Sequence, residues 1–406
     1  MAAIETADLV IVGGGTIGGW AAWFAHEHGA DKIVVLERGL VGSGASSRAA
    51  GVVRQQGGTP DTVRLGAFSV DFYARQQDLF GIDSGFRELG YLILAVSERD
   101  VADGRERIAM QQAAGLDVRW LDAAEACELN PPLAASGHRG GSYVAEDGYI
   151  DPPRNVLAYT AAARQARVDL RERTAFLGLE TQAAGSGRER VTAVRTEGGT
   201  IATERVLLTG GPTLRAVGRT LGAKIPVGAA RHQCVVTEPH DAFAVDRLPM
   251  VFDIGAGIYW RLEEGGLLWG MSNPNETPGE ATRIDWPYLR TMAERLGDLV
   301  PVTTSLGMRK AWAATIDYTP DHMPLLGPVR RTNGTLIEGT TIANACGHGM
   351  MWGPAVSKIA ADLALTGATE LVPDAALYRM DRFDEQGRSS LPADPIALPF
   401  PIDADD

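Results

Sequence analysis

The sequence predicts an α/β fold in which a Rossmann-like dinucleotide-binding domain is interrupted by a mixed β-sheet domain. Three observations carry this prediction. A glycine-rich turn joins an apolar run to a helical segment within residues 8–39, a second glycine turn runs into a helix after residue 345, and the sequence from 225 to 271 alternates like short strands. A chain of 406 residues also exceeds one ordinary hydrophobic core, so two domains are expected.

The first element is a β-turn-α-β unit with the sequence DLVIVGGGTIGGWAAWFAHEHGADKIVVLERG. We expect Gly13 to permit the turn out of the strand, Gly15 to let the backbone approach a pyrophosphate, and Gly18 to let the helix pack against the sheet. The helix N-terminus offers free N–H groups to the phosphates. Glu37 ends the second strand, where its carboxylate can accept hydrogen bonds from a ribose and would repel the 2′-phosphate of NADP. This pattern predicts a dinucleotide site and leaves NAD and FAD open.

The remaining elements follow in order along the chain. Glycine, serine and alanine in the loop 38–58 let the backbone lie against a ligand. Thr59 and Pro60 are typical of a helix start. Further expected elements are strand material in 85–97, a helix in 101–115, a helix after EDGYIDPP, short strands in 167–180 and 190–211 that end at Thr209-Gly210-Gly211, a helix in 288–300, a strand in 334–345 and a helix whose N-terminus is at Gly349.

Composition and charge narrow the classes of function. The formal net charge of −13, without a Lys/Arg cluster, argues against a nucleic-acid partner. No segment has the roughly 20 uninterrupted apolar residues of a membrane helix, and no signal or transit sequence precedes the first strand, so we expect a cytoplasmic protein without a membrane span. Cys127, Cys234 and Cys346 form no CxxC pair, and we expect buried free thiols and no metal site.

Two C-terminal motifs add a family resemblance to the N-terminal turn. The segments YTPDHMPLLGP and ACGHGMMWGPAVSKIAADLALTG, together with that turn, resemble the D-amino acid oxidase-like flavoproteins, a family that includes sarcosine and dimethylglycine oxidizing enzymes and glycine oxidase. DGYIDP and GIYWRLEEGGLLWG also resemble segments of this family, so the likeness extends to about Thr366. The resemblance implies FAD in place of NAD.

The resemblance also implies which residues form the site. It places the ADP half of FAD at the first glycine turn and Glu37, and the flavin ring at the second glycine turn. The implied FAD-binding residues are Gly13, Gly15, Thr16, Ile17, Gly18, Glu37, Arg38, Ser46, Ser47, Arg48, Gly51, Phe176, Gly210, Gly347, His348, Gly349 and Met350. The candidates for contact with the substrate are Arg54, Tyr259, His348 and Met351, with Arg261 as a weaker one.

Each candidate has an alternative role. The guanidinium of Arg54 fits the two oxygens of a carboxylate, but an arginine in this loop also suits a structural role in binding loop carbonyls or the pyrophosphate. Tyr259 either bonds a carboxylate or amine or packs within the sheet, and His348 has a packing or backbone role as its alternative. Trp260, Trp269, Met350, Met351 and Trp352 suggest an apolar surround. If they line the site, the substrate is bulkier or less anionic than glycine.

Departures from the family pattern narrow the chemistry. Arg48 and Ala314 stand where some relatives attach FAD to a histidine or a cysteine, so we expect non-covalent FAD. Leu268 stands where sarcosine oxidases carry a lysine thought to help oxygen react, so the acceptor is oxygen or another compound. The two usual carboxylate anchors are replaced by Ile316 and Met351, which leaves Arg54 as the best carboxylate candidate.

The combined interpretation is an FAD-dependent oxidoreductase. It oxidises a CH–NH bond of an amino acid or N-alkylated amine to an imine by hydride transfer to flavin, and water hydrolyses the imine. Two alternatives remain: a flavin-dependent dehydrogenase of a 2-hydroxy acid or other alcohol on the same fold, and a non-catalytic nucleotide-binding subunit. The expected domains are an FAD-binding domain of residues 1–84, 147–224 and 311–371, a substrate domain of residues 85–146 and 225–310, and a C-terminal tail of residues 372–406.

Overall fold

The computed structural model describes residues 5–396. Its helices are α1 (Thr16–Glu27), α2 (Pro60–Ala74), α3 (Gln76–Phe80), α4 (Glu98–Ala113), α5 (Ala123–Leu129), α6 (Pro152–Gln165), α7 (Leu214–Thr220), α8 (Trp286–Leu299) and α9 (Gly353–Leu365). Its strands are β1 (Glu5–Thr6), β2 (Leu9–Val12), β3 (Ile33–Leu36), β4 (Val52–Val53), β5 (Arg87–Glu88), β6 (Tyr91–Leu94), β7 (Arg119–Leu121), β8 (Gly141–Val144), β9 (Gly148–Tyr149), β10 (Asp169–Arg171), β11 (Phe176–Ala183), β12 (Arg188–Thr196), β13 (Gly199–Ala202), β14 (Val206–Leu208), β15 (Gly228–Thr237), β16 (Met250–Asp253), β17 (Ile258–Glu263), β18 (Gly266–Met271), β19 (Met308–Tyr318), β20 (Leu325–Arg330) and β21 (Leu336–Asn344).

A ten-stranded sheet forms the Rossmann-like part of the fold. Its strand order is β1-β13-β12-β21-β14-β2-β3-β10, with β11 beside β12 and β20 beside β21. The run from β21 to β10 is parallel, and β2 and β3 are buried along their whole length. Ile11 packs on the face covered by α1 and α9, whereas Val10 packs on the opposite face with Leu214 of α7. Continuous apolar strands are expected where helices cover both faces of a parallel sheet.

An eight-stranded mixed sheet forms the second part. Its order is β19-β15-β18-β17-β16-β6-β8-β7, antiparallel except for the β16–β6 pair. Alternation along β17 divides its two faces: Trp260 packs in the same cluster as the α8 residue Leu296, and Tyr259 packs in a second cluster with Phe252 and Ala50 of the dinucleotide-binding part. The second cluster therefore brings the sheet face of Tyr259 onto the loop after β3.

The proposed domain boundaries are compatible with most of this pairing. The strands β6 to β8 and β15 to β18 fall within 85–146 and 225–310. The boundary between 310 and 311, however, lies inside β19, which pairs with β15 from Gly228↔Tyr318 to Thr237↔Met308. This strand belongs to the eight-stranded sheet over its whole length. We retain the division of the chain as a proposal, with β19 as the element that joins the two parts.

The helix predictions can be compared with the observed ends. The helix start at Thr59 is confirmed, because the Thr62 N–H donates to Thr59 Oγ1 at 3.2 Å and Pro60 opens α2. The prediction of a helix N-terminus at Gly349 is wrong: α9 begins at Gly353, four residues later. Gly347 has a φ of +72°, and turns occupy the residues up to the start of α9, whose first turn contains Pro354.

The C-terminal tail returns to the body of the protein. The tail contains two short 3-10 turns, Ala375–Tyr378 and Met380–Arg382. The buried Arg382, at the end of the second turn, makes a two-point ion pair with Asp321 at 2.7 and 2.9 Å. The last ten residues of the predicted tail, 397–406, and the first four of the chain lie outside the described residues. Within residues 5–396, no helix is long and apolar enough to cross a membrane.

Candidate active site

A cavity of about 610 Å³ lies between the two sheets. It extends from the turn after β2 to the inner face of β17, so one continuous space joins the predicted nucleotide site to Tyr259. Three of the predicted residues, Gly18, Ser47 and the weaker candidate Arg261, are not among the residues that line it. The other predicted residues do line the cavity: Gly13, Gly15, Thr16, Ile17, Glu37, Arg38, Ser46, Arg48, Gly51, Arg54, Phe176, Gly210, Tyr259, Gly347, His348, Gly349, Met350 and Met351.

The first glycine turn has room for glycine alone at two positions. Gly13 has a φ of +116°, and a Cβ on it would lie 2.8 Å from the carbonyl oxygen of Thr209. A Cβ on Gly18 would lie 1.9 Å from the carbonyl oxygen of Gly13. The Thr209 hydroxyl donates to the Gly13 carbonyl at 3.0 Å. Gly18 therefore packs closely against the backbone of the turn, and it does not line the cavity.

Glu37 holds two segments of backbone at the end of β3. Its Oε2 accepts the Gly14 N–H at 2.9 Å and its Oε1 accepts the Gly39 N–H at 2.7 Å. Each carboxylate oxygen has a further lone pair, so a ribose hydroxyl can still donate to it. Nearby, Ser46 Oγ accepts the Thr16 N–H at the start of α1 at 3.0 Å. The hydroxyl of Ser46 thus already occupies one of the free N–H groups expected at this helix end.

The second glycine turn presents a neutral imidazole to the cavity. His348 Nδ1 donates to the carbonyl of Cys346 at 2.7 Å, and the ring stacks on Trp352 with centroids 4.2 Å apart. Burial lowers the pKa of His348 to about 3. With Nδ1 donating, the uncharged ring keeps Nε2 as an acceptor. The Gly347 N–H donates to Asp317 Oδ2 at 3.3 Å, so this amide is engaged within the protein.

The apolar residues named from the sequence divide into two groups. Met350 and Met351 line the cavity, and the Met350 carbonyl accepts the Tyr73 hydroxyl at 2.9 Å. Trp352 is buried in the core beneath the second glycine turn. Trp260 and Trp269 lie in the cluster on the α8 side of the sheet. Of these five residues only the two methionines line the cavity, because strand alternation turns both strand tryptophans away.

Arg54 is buried and partly committed to backbone. Its side chain is 3 % exposed, Nη1 donates to the Gln56 carbonyl, and Nη2 donates to the Ile396 carbonyl at 3.1 Å. Nε is buried and has no hydrogen-bond partner among the described residues. A guanidinium has five N–H donors, so the two carbonyls and the nearby Tyr91 hydroxyl leave at least the Nε–H for a ligand. Both roles considered for Arg54, binding loop carbonyls and binding a carboxylate, are compatible with this geometry.

A buried carboxyl lies close to Arg54. Asp147 is fully buried, and its Oδ1 accepts the Gln55 N–H at 2.8 Å. Burial raises the pKa of Asp147 to about 7, and the positive charge of Arg54 opposes this shift. Arg54 likewise opposes the raised pKa of a second buried carboxyl, Asp394, so the guanidinium lies near two acidic groups.

Tyr259 meets a second titratable residue in the cavity wall. Its hydroxyl hydrogen-bonds His232 Nε2, and His232 Nδ1 lies 2.8 Å from Ser272 Oγ. Burial lowers the pKa of His232 to about 4 and raises that of Tyr259 well above its usual value, so both groups are uncharged at neutral pH. Gly270 lies between them on β18, where a Cβ would be 2.4 Å from the Tyr259 hydroxyl oxygen. The absent side chain lets the tyrosine reach across to β15.

The structure also shows where the residues lie that depart from the family pattern. Ala314 and Ile316 line the cavity, and Leu268 is buried in the same cluster as Tyr259. Arg261 does not line the cavity and is only 3 % exposed: its Nε donates to the Ala50 carbonyl at 2.7 Å. The weaker carboxylate candidate is thus a buried link between the sheet and the loop after β3.

Many residues of the cavity wall were not anticipated from the sequence, and three of them bear on the chemistry of the site. His232 and Asp317 lie on β15 and β19, and Ile396 lies in the tail. Alternation places His232 on the same strand face as Cys234, but only the pairing of β15 through β18 to β17 shows that this face meets Tyr259. Nothing in the Pro- and Asp-rich tail sequence indicates that it reaches the cavity.

Comparisons with known proteins agree with this architecture. The chain matches the family model "FAD dependent oxidoreductase" (DAO) over residues 8–363. It is 28 % identical over 370 residues to the 4-methylaminobutanoate oxidase (formaldehyde-forming) of Paenarthrobacter nicotinovorans, covering 88 % of this chain and 43 % of that protein. It is 27 % identical over 367 residues to the glycine oxidase of Geobacillus kaustophilus, covering 88 % and 92 %.

A solved structure shares the fold over nearly the whole chain. The L-proline dehydrogenase from P. horikoshii superposes with a TM-score of 0.83 at 26 % identity, covering 94 % of this chain and 98 % of that one. The chain spans about two fifths of the length of the first curated relatives that it matches. Because the family model covers most of the chain, including both glycine turns, the chain belongs to the DAO family of FAD-dependent oxidoreductases.

Proposed function

We propose that this protein oxidises a CH–NH bond of an amino acid or N-alkylated amine to an imine, which water then hydrolyses. The observation that carries the proposal is the single cavity that joins the Gly13 turn to Arg54 and to the Tyr259–His232 pair. The names of the similar proteins support it: 4-methylaminobutanoate, glycine and L-proline each contain an amine and a carboxylate. A region that combines the buried guanidinium of Arg54 with the uncharged Tyr259–His232 pair suits such a molecule.

The residues at one end of the cavity fit FAD. Gly13 lines the cavity without a side chain, and the Glu37 carboxylate, held by the Gly14 and Gly39 N–H groups, would accept from an adenosine ribose. Thr16 and Ile17 would contact the diphosphate, and the segment Gly347–Gly349 would contact the ring. When bound, FAD supplies the hydride acceptor. Within residues 5–396 no cysteine lines the cavity, and Arg48 and Ala314 occupy the positions at which some relatives attach FAD covalently. We therefore propose that FAD is bound non-covalently.

Arg54 is the proposed anchor of the substrate carboxylate. Its buried Nε–H lacks a partner among the described residues, whereas its Nη1 and Nη2 each donate to a backbone carbonyl. A buried donor without a partner costs free energy. A carboxylate that accepts a hydrogen bond from this donor removes that cost, which makes its binding free energy more favourable. Because Ile316 and Met351 line the same cavity without charge, Arg54 is the cation that we assign to this task.

The site favours the uncharged amine that loses the hydride. His232 and His348 are neutral, and the buried positive charge of Arg54 together with the apolar wall disfavours an ammonium group. The Tyr259 hydroxyl, held by His232, can orient the amine or one carboxylate oxygen. Such a site works by positioning the substrate and excluding water, and requires no strong catalytic base.

The test is the visible absorbance of the purified protein under anaerobic conditions, with N-methyl amino acids, D- and L-amino acids, cyclic amines and 2-hydroxy acids added in turn. We expect bleaching of the flavin bands by an amine class and release of an aldehyde, ammonia or an alkylamine. Bleaching by 2-hydroxy acids alone would replace this proposal with an alcohol dehydrogenase on the same fold. The rate of colour recovery in air separates an oxidase from a dehydrogenase that uses another acceptor.

A further inference from the structure

The end of the described tail lies inside the cavity wall. Ile396 is 1 % exposed, lines the cavity, and belongs to the apolar cluster that contains Tyr91, Phe252 and Tyr259. Its carbonyl accepts Arg54 Nη2 at 3.1 Å. The backbone of Ile396 therefore contacts Arg54, the proposed carboxylate anchor. Its side chain packs in the apolar cluster that contains Tyr259.

The tail is held in this position by a chain of buried contacts. Asp321, in the turn after β19, pairs with Arg382 at 2.7 Å and accepts the Ser389 hydroxyl at 2.5 Å. The Asp321 carbonyl accepts the Asp394 N–H at 3.1 Å. Asp394 Oδ1 then accepts the Ile396 N–H at 3.0 Å. These contacts connect the tail to the same strand, β19, that contributes Ala314 and Ile316 to the cavity.

Gly58 shows how closely the tail packs. A Cβ on Gly58 would lie 2.1 Å from Asp394 Oδ1 and 2.5 Å from Pro395 Cδ. The backbone angle φ of Gly58 lies outside the left-handed region, so alanine at this position would clash with the tail without straining its own backbone. This glycine is thus a position from which the tail can be displaced without changing any tail residue.

We propose that the segment Asp394–Ile396 forms one wall of the substrate pocket and that the side chain of Ile396 limits the size of the group next to the substrate carboxylate. This inference rests on the proposed function, since it takes Arg54 as the carboxylate anchor. The Ile396 carbonyl holds one arm of the guanidinium, and the Ile396 side chain occupies space beside it. A substrate whose carboxylate binds Arg54 must place its adjoining carbon group against this side chain.

The test measures binding rather than turnover. The holoenzyme is titrated with acetate, 2-methylpropanoate and benzoate, and the perturbation of the oxidised flavin spectrum gives a dissociation constant for each. In Ile396→Ala we expect the ratio of the acetate to the benzoate dissociation constant to rise about tenfold, because space for several methylene groups is opened in an apolar pocket. Gly58→Ala should shift the ratio in the same direction by moving the tail.

Val372→Ala is the matched control, because Val372 is equally buried in the C-terminal part but packs in the core under α9 and does not line the cavity. An unchanged ratio in both Ile396→Ala and Gly58→Ala, or an equal change in Val372→Ala, would overturn the proposal. So would the absence of any spectral response to the three carboxylates. If no amine of the panel bleaches the flavin, the proposed function fails. The ratio of the acetate to the benzoate dissociation constant still decides the role of Ile396.

Discussion

The hydroxyl of Tyr259 and Nε2 of His232 share a hydrogen bond across an intervening strand, although the two residues are 27 positions apart. The strand between them, β18, has Gly270 opposite both Tyr259 and Cys234. The bond therefore depends on a missing side chain as much as on the two groups that make it.

Tyr259→Phe should lower kcat/KM by roughly tenfold to a hundredfold, because the buried polar group of the substrate that the hydroxyl orients would lose its hydrogen bond, at a cost of about 1–3 kcal/mol. Steady-state kinetics on the best substrate of the panel measures this. Tyr143→Phe is the control, since Tyr143 is similarly buried but lies in the cluster on the α8 side. An equal fall in both variants would mean that the tyrosine of β17 has only a packing role.

His232 should make stability sensitive to acid in a defined interval. Its pKa is about 4 in the folded protein, below the 6.5 of an unperturbed histidine. As the pH falls from 6.5 to 4, the unfolded state takes up a proton that the folded state does not, so the contribution of His232 to the free energy of unfolding falls by about 1.4 kcal/mol per pH unit.

The measurement is denaturant unfolding of the wild type and His232→Gln from pH 8 to pH 4. We expect the stability advantage of the wild type to shrink through this interval, because the variant has no imidazole to titrate. A constant difference between the two proteins would show that His232 is not held neutral. Comparing the pair removes the opposing effect of Asp147, whose raised pKa stabilises the folded state as the pH falls.

Arg54→Lys should raise the KM of carboxylate-containing substrates by roughly tenfold to a hundredfold, because lysine keeps the charge but loses the planar fork. Amines without a carboxylate should show a much smaller change. Arg261→Lys is the control, because Arg261 is equally buried and donates to the Ala50 carbonyl but does not itself line the cavity. A uniform loss on both kinds of substrate would assign Arg54 to loop structure alone.

Glu37→Gln should weaken FAD binding by about tenfold, because an amide cannot accept from both the Gly14 and the Gly39 N–H groups with the strength of a carboxylate. Titration of the flavin-free protein with FAD, followed by flavin fluorescence, gives the dissociation constant. Glu172→Gln is the control, since Glu172 accepts the Val41 N–H of the same loop at 2.8 Å without lining the cavity. Equal FAD affinity in wild type and Glu37→Gln would contradict the assignment.

Acid precipitation should release the flavin. Arg48 and Ala314 cannot form the histidyl or cysteinyl bond, and the cavity of the described chain is lined by no cysteine. We expect the colour in the supernatant after precipitation, at a mass equal to that of FAD. Flavin that remains with the protein pellet would show a covalent bond and direct attention to His232 and His348, the two histidines of the cavity wall.

The parts of the fold that local sequence specifies were predicted well. Apolar runs, a capping threonine and glycines placed the β2-turn-α1-β3 unit and the start of α2. The start of α9 was missed because the turns from Gly347 to Trp352 have the same small and apolar residues as a helix. Their conformation is decided by contacts such as the one between the Gly347 N–H and Asp317, which is 30 residues away.

By itself, the sequence determined the glycine turns, the acidic end of β3 and the family to which the chain belongs, because these depend on residues a few positions apart. Only the tertiary structure decided that Tyr259 contacts His232, that a tail carbonyl accepts from Arg54, and that Ile396 lines the cavity. Those relationships depend on strand register and on the contact of the tail residue Ile396 with Arg54, which is more than 300 positions away in the sequence. Register and long-range closure are set by the packing of the whole molecule and leave little periodicity in the sequence.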